Sequence, residues 1–346
     1  MDLPFDPRSI PPFPPVRHEL SLPGFAIGHG TDPVGKTGAT VILCPEGALA
    51  AAELRGSATG SRQLDSLTNL HHVASRAHAA VLAGGSGYGL DAASPVVQAL
   101  EAEGRGFDTG LRRVPLVPTG ILFDLSFGDP RAAPTAQLMQ QALDDARGPR
   151  EEGEAVAVAT GSVGAGTGAT VGKALGPERA MKGGLGFASF SVEGGPTVAA
   201  VVAVNAFGDV QDPASGKILA GCRLDPQGFE LAGVERCLAA MPPDPTVWEG
   251  NTTLAVVLTD AQLDKVRLFK VCQMAFGGFY RSLSPALSLF DGDLVMTLSS
   301  QRVPAHVNQV GVLAQRAVTE AILNAVRSAD GFGLLPTAAD LSAASG

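Results

Sequence analysis

Apolar residues recur along this chain with two different periods. Thr252–Thr259 is a near-continuous β-branched and aliphatic run, the pattern of a strand covered on both faces. Gly184–Val192 and Thr197–Val204 read as a pair of strands joined by Glu193-Gly194-Gly195-Pro196. Shorter runs predict strands at Thr40–Leu43 and Leu294–Leu298. Val307–Val326 instead places Val307, Val310, Leu313, Val318, Ile322 and Val326 at helical spacing, and Ala261–Ser282 puts Leu263, Val266, Phe269 and Met274 roughly on one face. Tyr88–Glu103 and Ala133–Ala146 also read as helices, with Pro95 in the first turns of the former or marking its true start. Strand, helix, strand, helix in the C-terminal part predicts layered α/β structure.

Length and composition narrow this picture. The 346 residues suit one large domain or two modest ones, and 45% apolar residues supply a substantial core. Pro4, Pro7, Pro11, Pro12, Pro14 and Pro15 mark residues 1–20 as an arm ahead of a single domain from 21 to 346. Gly148–Glu154, charged and turn-like, would join two halves of that domain. The 43 glycines follow no Gly-X-Y period, which excludes collagen and points to tight turns and close backbone approaches. The formal net charge of −9, with no Lys/Arg block, argues against nucleic acid as a partner. The longest apolar run, Val198–Phe207, is too short to span a bilayer, and the N-terminal residues lack a signal peptide's basic start and apolar stretch. Cys44, Cys222, Cys237 and Cys272 are widely spaced and read as reduced thiols of a cytoplasmic protein, with no zinc pattern.

Several motifs have chemical readings beside plainer ones. Gly161–Thr170 is a glycine-rich loop in which Gly164, Gly166 and Ala169 satisfy a loose G-x-G-x-x-A, yet no good strand precedes it, no helix clearly follows it, and Ala174 stands where a Walker loop needs Ser or Thr. A tight loop with positive φ angles is its default reading. Gly84-Gly85-Ser86-Gly87-Tyr88-Gly89 nearly spells a nucleophile elbow, but Tyr88 replaces the last glycine and His306 is the only histidine downstream. Asn251-Thr252-Thr253 is formally a glycosylation sequon set against a buried strand, where Thr252 reads as an ordinary strand residue. Asp291-Gly292-Asp293 would bind a metal, orient an amine or make a turn, the turn being commonest. His71, His72 and His78 are read as structural, because His71 and His78 lie two helical turns apart.

Taken in order, these segments resemble one family. Gly38-Ala39-Thr40-Val41-Ile42, Ala83–Ala92, Gly120–Leu125, Gly164–Lys173, Val204–Gly208, Gly250–Leu254 and Phe290–Asp293 match the DmpA-type aminopeptidases (L-aminopeptidase/D-esterase, β-peptidyl aminopeptidase), which include NylC-like nylon-oligomer hydrolases. The resemblance implies a four-layer α-β-β-α sandwich and a homo-oligomer, a tetramer foremost. It implies self-cleavage between Asn251 and Thr252 into 1–251 and 252–346, and amide hydrolysis by the freed Thr252 on short peptides or oligoamides. It needs neither cofactor nor metal, since a hydroxyl that requires a base finds one in its own freed α-amine.

The same resemblance implies roles residue by residue. Lys173 would be the cation near the nucleophile, Asn205 the oxyanion-hole amide, and Asp291 and Asp293 the carboxylates beside the amine. Ser86, Tyr88 and Phe123 would border the substrate. Phe123 stands where some members carry a tyrosine, and it has no hydroxyl to polarise a substrate. Thr252 with Asp291 and Asp293 is closer to the NylC-like pattern and shifts the expected substrate toward simple amides or oligoamides. Two other functions remain open: an acyltransferase of related fold, and a non-catalytic nucleotide-binding module built on the Gly164 loop.

Overall fold

A computed structural model describes residues 10–148, 154–242 and 250–344. Its central strands, in chain order, are Ala26–Asp32 (β1), Thr37–Leu54 (β2), Gly60–Arg62 (β3), Arg76–Ala83 (β4), Thr119–Ile121 (β5), Gly184–Ser191 (β6), Thr197–Asn205 (β7), Thr252–Gln262 (β8) and Leu294–Pro304 (β9). Four helices pack on them: Ala93–Ala102 (α1), Ala136–Ala146 (α2), Lys265–Ser282 (α3) and Val307–Arg327 (α4). The strands are hydrogen-bonded in the order β6-β7-β8-β9-β2-β4-β5-β3, with β1 also on β2. β8 and β9 run parallel, which requires a crossover, and α3 supplies it.

Side-chain alternation decides the layers. Along β7 and β8, Val198, Ala200, Val202, Val204, Ala255 and Val257 pack under α3 and α4. Their neighbours Ala199, Val201, Ala203, Leu254, Val256 and Leu258 turn the other way, into a second core shared with Ile42, Ala80 and Leu82. The opposite face of β2 and β4 (Val41, Leu43, Ala79, Val81) meets Val96, Leu100, Met139 and Leu143 of α1 and α2. Strands covered on both faces, with helices outside, make the α-β-β-α sandwich. The two sheet halves are continuous through β2, whose pairing with β4 shifts register between Leu43 and Ala48. The short run Thr40–Leu43 therefore understated a strand that continues through Pro45 and Gly47 to Leu54.

Glycine serves close layer contact. A Cβ at Gly186 on β6 would lie 1.8 Å from the Ala321 carbonyl oxygen of α4, and one at Gly28 on β1 would lie 2.1 Å from that of Ala142 on α2.

The predicted helices shift at their edges. α1 starts at Ala93 after a 3-10 turn over Ser86–Ala92, which leaves Pro95 in its first turn, where a missing N–H is tolerated. Thr135 caps α2, accepting from the Leu138 amide at 3.2 Å. Asp264 caps α3 by accepting from Arg267 N at 2.7 Å, so Leu263 lies outside the helix. The face predicted for α3 holds only in part: Phe269 packs against the core, but Val266 is 60% exposed, and the buried stripe is Leu268, Val271, Cys272, Ala275, Phe276 and Phe279. Steps of three drift around a helix, whereas steps alternating three and four hold one face. The inner end of the N-terminal arm also departs from expectation. Glu19–Leu20 pairs with Val156–Ala157, and Leu20 is buried in the core between the sheet halves. Most of the Gly148–Glu154 joint lies outside the described residues. No helix among the described residues is long and apolar enough to cross a membrane.

Candidate active site

Antiparallel pairing of β7 with β8 sets Asn205 directly opposite Thr252, at the last position of one strand and the first of the other. The chain before β9 runs parallel beside them. Asn251 bridges Asp291, the Asn251 amide donates to Phe290 O at 3.0 Å, and the Gly292 amide donates to Asn251 O at 2.7 Å. The Asp291-Gly292-Asp293 triplet is therefore not a surface turn. Its two aspartates are 2% and 1% exposed. The Ser57 and Ala58 amides hold Asp291 O, and the Arg55 and Gly56 amides hold Asp293 O. Asn251 is fully buried, which excludes the sequon reading.

The Thr252 hydroxyl donates to the carbonyl oxygen of Asn251 at 2.5 Å. One peptide carbonyl thus takes both the Gly292 amide and the hydroxyl of the residue that follows it. Gly292 is packed so closely that a Cβ there would stand 2.6 Å from Thr252 Oγ1 and 2.7 Å from Ala58 O. Gly292→Ala is therefore expected to displace the hydroxyl and slow any reaction of it by about a hundredfold, the penalty for ångström-scale misplacement. Time courses of chain cleavage and of amide hydrolysis check this, and wild-type rates would refute it.

The two carboxylates are unequal. Asp291 Oδ1 accepts from Phe207 N at 3.0 Å, and its Oδ2 accepts from the amide and hydroxyl of Ser288 at 3.1 and 2.5 Å. Asp293 Oδ1 accepts from Thr253 N at 2.7 Å, while its Oδ2 has no well-aligned hydrogen bond, only a weak polar neighbour in the Leu287 main chain. Burial, then the charge of Asp291, pushes the Asp293 carboxyl well above the usual carboxylate range. Burial also raises Asp291, but Ser288, the Phe207 amide and Lys173 pull it back. Of the two carboxyls, Asp293 is therefore the one that folding raises further.

This has a consequence for stability. A carboxyl raised by folding keeps a proton that the unfolded chain has released above about pH 4, so native stability falls as pH rises from there through the raised value. Asp293→Asn, made in a Thr252→Ala background, is expected to flatten the dependence of melting temperature on pH above about pH 4. Identical slopes with and without the substitution would contradict the assignment.

Lys173, 1% exposed, donates to Asn205 Oδ1 at 2.9 Å and to Asn205 O at 3.2 Å. The Thr170 amide also donates to Asn205 Oδ1, at 3.0 Å. Because a lysine only donates, these contacts fix the side-chain amide's orientation. Its Nδ2 must face the other way, and it donates to Phe123 O at 2.7 Å. The Phe123 ring borders Gly250, where a Cβ would lie 3.1 Å from the phenylalanine Cβ. Thr252, Asn251, Asn205, Lys173, Asp291, Asp293 and Phe123 are thus brought together. Ser86, at φ 52°, donates its amide to Leu122 O beside Phe123, and Tyr88 is 73% exposed.

Sequence reading missed Ser288 and the part played by the Thr170 amide. Ser288 carries no signal beyond its place three residues before Asp291. Among the described residues no group of three or more His, Cys, Asp or Glu could hold a metal. All four cysteines are free thiols.

The chain is similar to known proteins over nearly its whole length. The model of Peptidase family S58 matches residues 21–334. An uncharacterized aminopeptidase of Mycobacterium leprae (strain TN) is 34% identical, with 93% of each chain covered. A 6-aminohexanoate-oligomer endohydrolase of Kocuria sp. (strain KY2) is 28% identical, covering 89% of this chain and 85% of that one. Among solved structures, the L-aminopeptidase D-Ala-esterase/amidase of Ochrobactrum anthropi, described as a variant of the Ntn hydrolase fold, superposes with a TM-score of 0.63 at 18% identity, covering 92% of this chain and 90% of that one. A Burkholderia sp. beta-aminopeptidase gives 0.63 at 20% identity, with 95% and 96% covered. At these identities the structural likeness carries the fold.

Proposed function

The chain belongs to peptidase family S58, hydrolases of amide bonds, and on that premise we propose that it cuts itself between Asn251 and Thr252 and then uses Thr252 as an N-terminal nucleophile. The observation that carries this reading is the Asn251 carbonyl, which the Gly292 amide holds at 2.7 Å with the Thr252 hydroxyl at 2.5 Å. An amide aimed at the carbonyl oxygen stabilises the charge that develops there on attack.

In the first step Thr252 Oγ1 bonds to the Asn251 carbonyl carbon, and the Asn251–Thr252 C–N bond breaks. The hydroxyl proton ends on the departing amine, leaving an ester. Water opens that ester, giving a carboxylate at Asn251 and a free amine and hydroxyl at Thr252. Before this cut the base does not exist. After it, the α-amine has an unperturbed pKa of about 7.7–8.0, and a nearby buried cation such as Lys173 favours its neutral form. The amine takes the Thr252 proton as the hydroxyl attacks a substrate amide. Asn205 Nδ2, turned toward Phe123 O in the uncut chain, donates to the oxyanion. Asp293, with an oxygen to spare, orients the amine. Asp291, whose oxygens already carry three hydrogen bonds, holds the Phe207 and Ser288 segments in place.

Short peptides and oligoamides are the proposed substrates, and a homo-oligomer is the proposed assembly. With Phe123 lacking a hydroxyl, Asn205 and backbone amides bear the polarisation. The test is N-terminal sequencing of purified protein resolved on a denaturing gel, together with hydrolysis of aminoacyl p-nitroanilides and linear 6-aminohexanoate oligomers. The smaller piece is expected to begin Thr252-Thr253-Leu254. A single full-length band in an active preparation, or a processed protein inert toward both substrate classes, would overturn the reading.

A further inference from the structure

The glycine-rich loop Gly161–Thr170 has no assigned task in this chemistry, and its carbonyls point to one. Lys182 is fully buried, and its ammonium donates to Gly166 O at 2.9 Å, Ala169 O at 2.8 Å and Gly183 O at 3.1 Å. A loop that cradles phosphate turns its amides inward. Here two carbonyls of the loop converge on a cation.

The peptide joining Ala169 to Thr170 then links two groups. Its oxygen accepts from Lys182, and its N–H donates to Asn205 Oδ1 at 3.0 Å. Thr170 and Lys182 are also cross-strand partners in a short antiparallel ladder, which fixes their separation. The chain of contacts reads Lys182 Nζ, Ala169–Thr170 peptide, Asn205 amide.

We infer that Lys182 is a positioning residue for the Asn205 amide: through the Ala169–Thr170 peptide it sets the orientation of Asn205 and strengthens its Nδ2 as a donor. A cation at one end of a hydrogen-bond chain polarises every member, so a peptide whose oxygen is held by an ammonium is a better N–H donor. An amide whose oxygen accepts from that N–H and from Lys173 is in turn a better donor at Nδ2. Burial brings the Lys182 ammonium down to about 7, against the pull of Asp124 and Asp330 and with the repulsion of Lys173. The Phe127 ring, 5.4 Å from Nζ, faces it as well. Deprotonation would leave two hydrogens for three carbonyls.

The inference rests on the reading of Asn205 as the oxyanion donor, so the experiment separates the two. kcat and KM are measured for wild type, Lys182→Met, Lys182→Arg, Asn205→Ala and the Lys182→Met/Asn205→Ala double variant, on whichever of the p-nitroanilides and oligoamides wild type turns over best. Lys182→Met is expected to lower kcat by about tenfold, the worth of one hydrogen bond, with KM nearly unchanged. Lys182→Arg restores part of the loss, and Lys182→Met adds little in the Asn205→Ala background. Should Lys182→Met not melt cooperatively, the same comparison is made with Lys182→Gln, which keeps two donors. A slow Asn205→Ala beside an unchanged Lys182→Met, or full multiplication of the two losses, overturns the role of Lys182 alone. An Asn205→Ala with wild-type kcat overturns the Asn205 reading and this inference with it.

Discussion

Thr252→Ala is expected to run as one full-length polypeptide on a denaturing gel and to hydrolyse no amide, where wild type is expected to run as 1–251 and 252–346. The substitution removes the hydroxyl and the γ-methyl group and leaves the β8 ladder intact, because Thr252 pairs with Asn205 through the main chain. In the proposed mechanism both chemical events pass through that oxygen: attack on Asn251 in the first, attack on substrate in the second. Loss should therefore be complete in both assays, beyond the roughly tenfold to hundredfold of a weakened contact. Thr252→Ser keeps a hydroxyl in reach and is expected to process, which separates loss of chemistry from loss of fold. Complete processing of Thr252→Ala would mean that another group cuts the chain.

Asn205→Ala is expected to lower kcat by about a hundredfold to a thousandfold, the usual consequence of removing one oxyanion-hole donor. KM should change little, because the contact strengthens only as charge develops. The variant also strips Lys173 of its Oδ1 acceptor. A fall in melting temperature is therefore expected alongside the kinetic loss, and Asn205→Asp should not rescue kcat, since a carboxylate faces an oxyanion with no donor. A kcat within about twofold of wild type would remove Asn205 from the mechanism.

How much of this was legible beforehand follows from the kind of interaction involved. β7, β8 and α4 were readable because a strand buried on both faces and an amphipathic helix each leave a period in their own residues. β2 was half-hidden, since only Thr40–Leu43 is a β-branched run, whereas pairing with β4 before the register shift and with β9 after it extends the strand to Leu54. On α3, which apolar residues face inward was settled only by the sheet beneath it, which took Leu268, Cys272 and Phe279 and left Val266 outside.

The site divides in the same way. The sequence alone determined the layered α/β class, the family resemblance, and Thr252 with Lys173, Asn205, Asp291 and Asp293 as its candidate partners, because each lies in a short segment with a recognisable pattern. It left Asp291 and Asp293 interchangeable. Only the tertiary structure separated them, since Ser288 and the Phe207 amide reach one and the Thr253 amide the other. Only the tertiary structure showed that carbonyls of the Gly164 loop, at Gly166 and Ala169, face Lys182. The reason is common to both: burial and hydrogen-bond direction belong to groups brought together from distant segments, and no local run of residues records which of its donors and acceptors will be left facing inward.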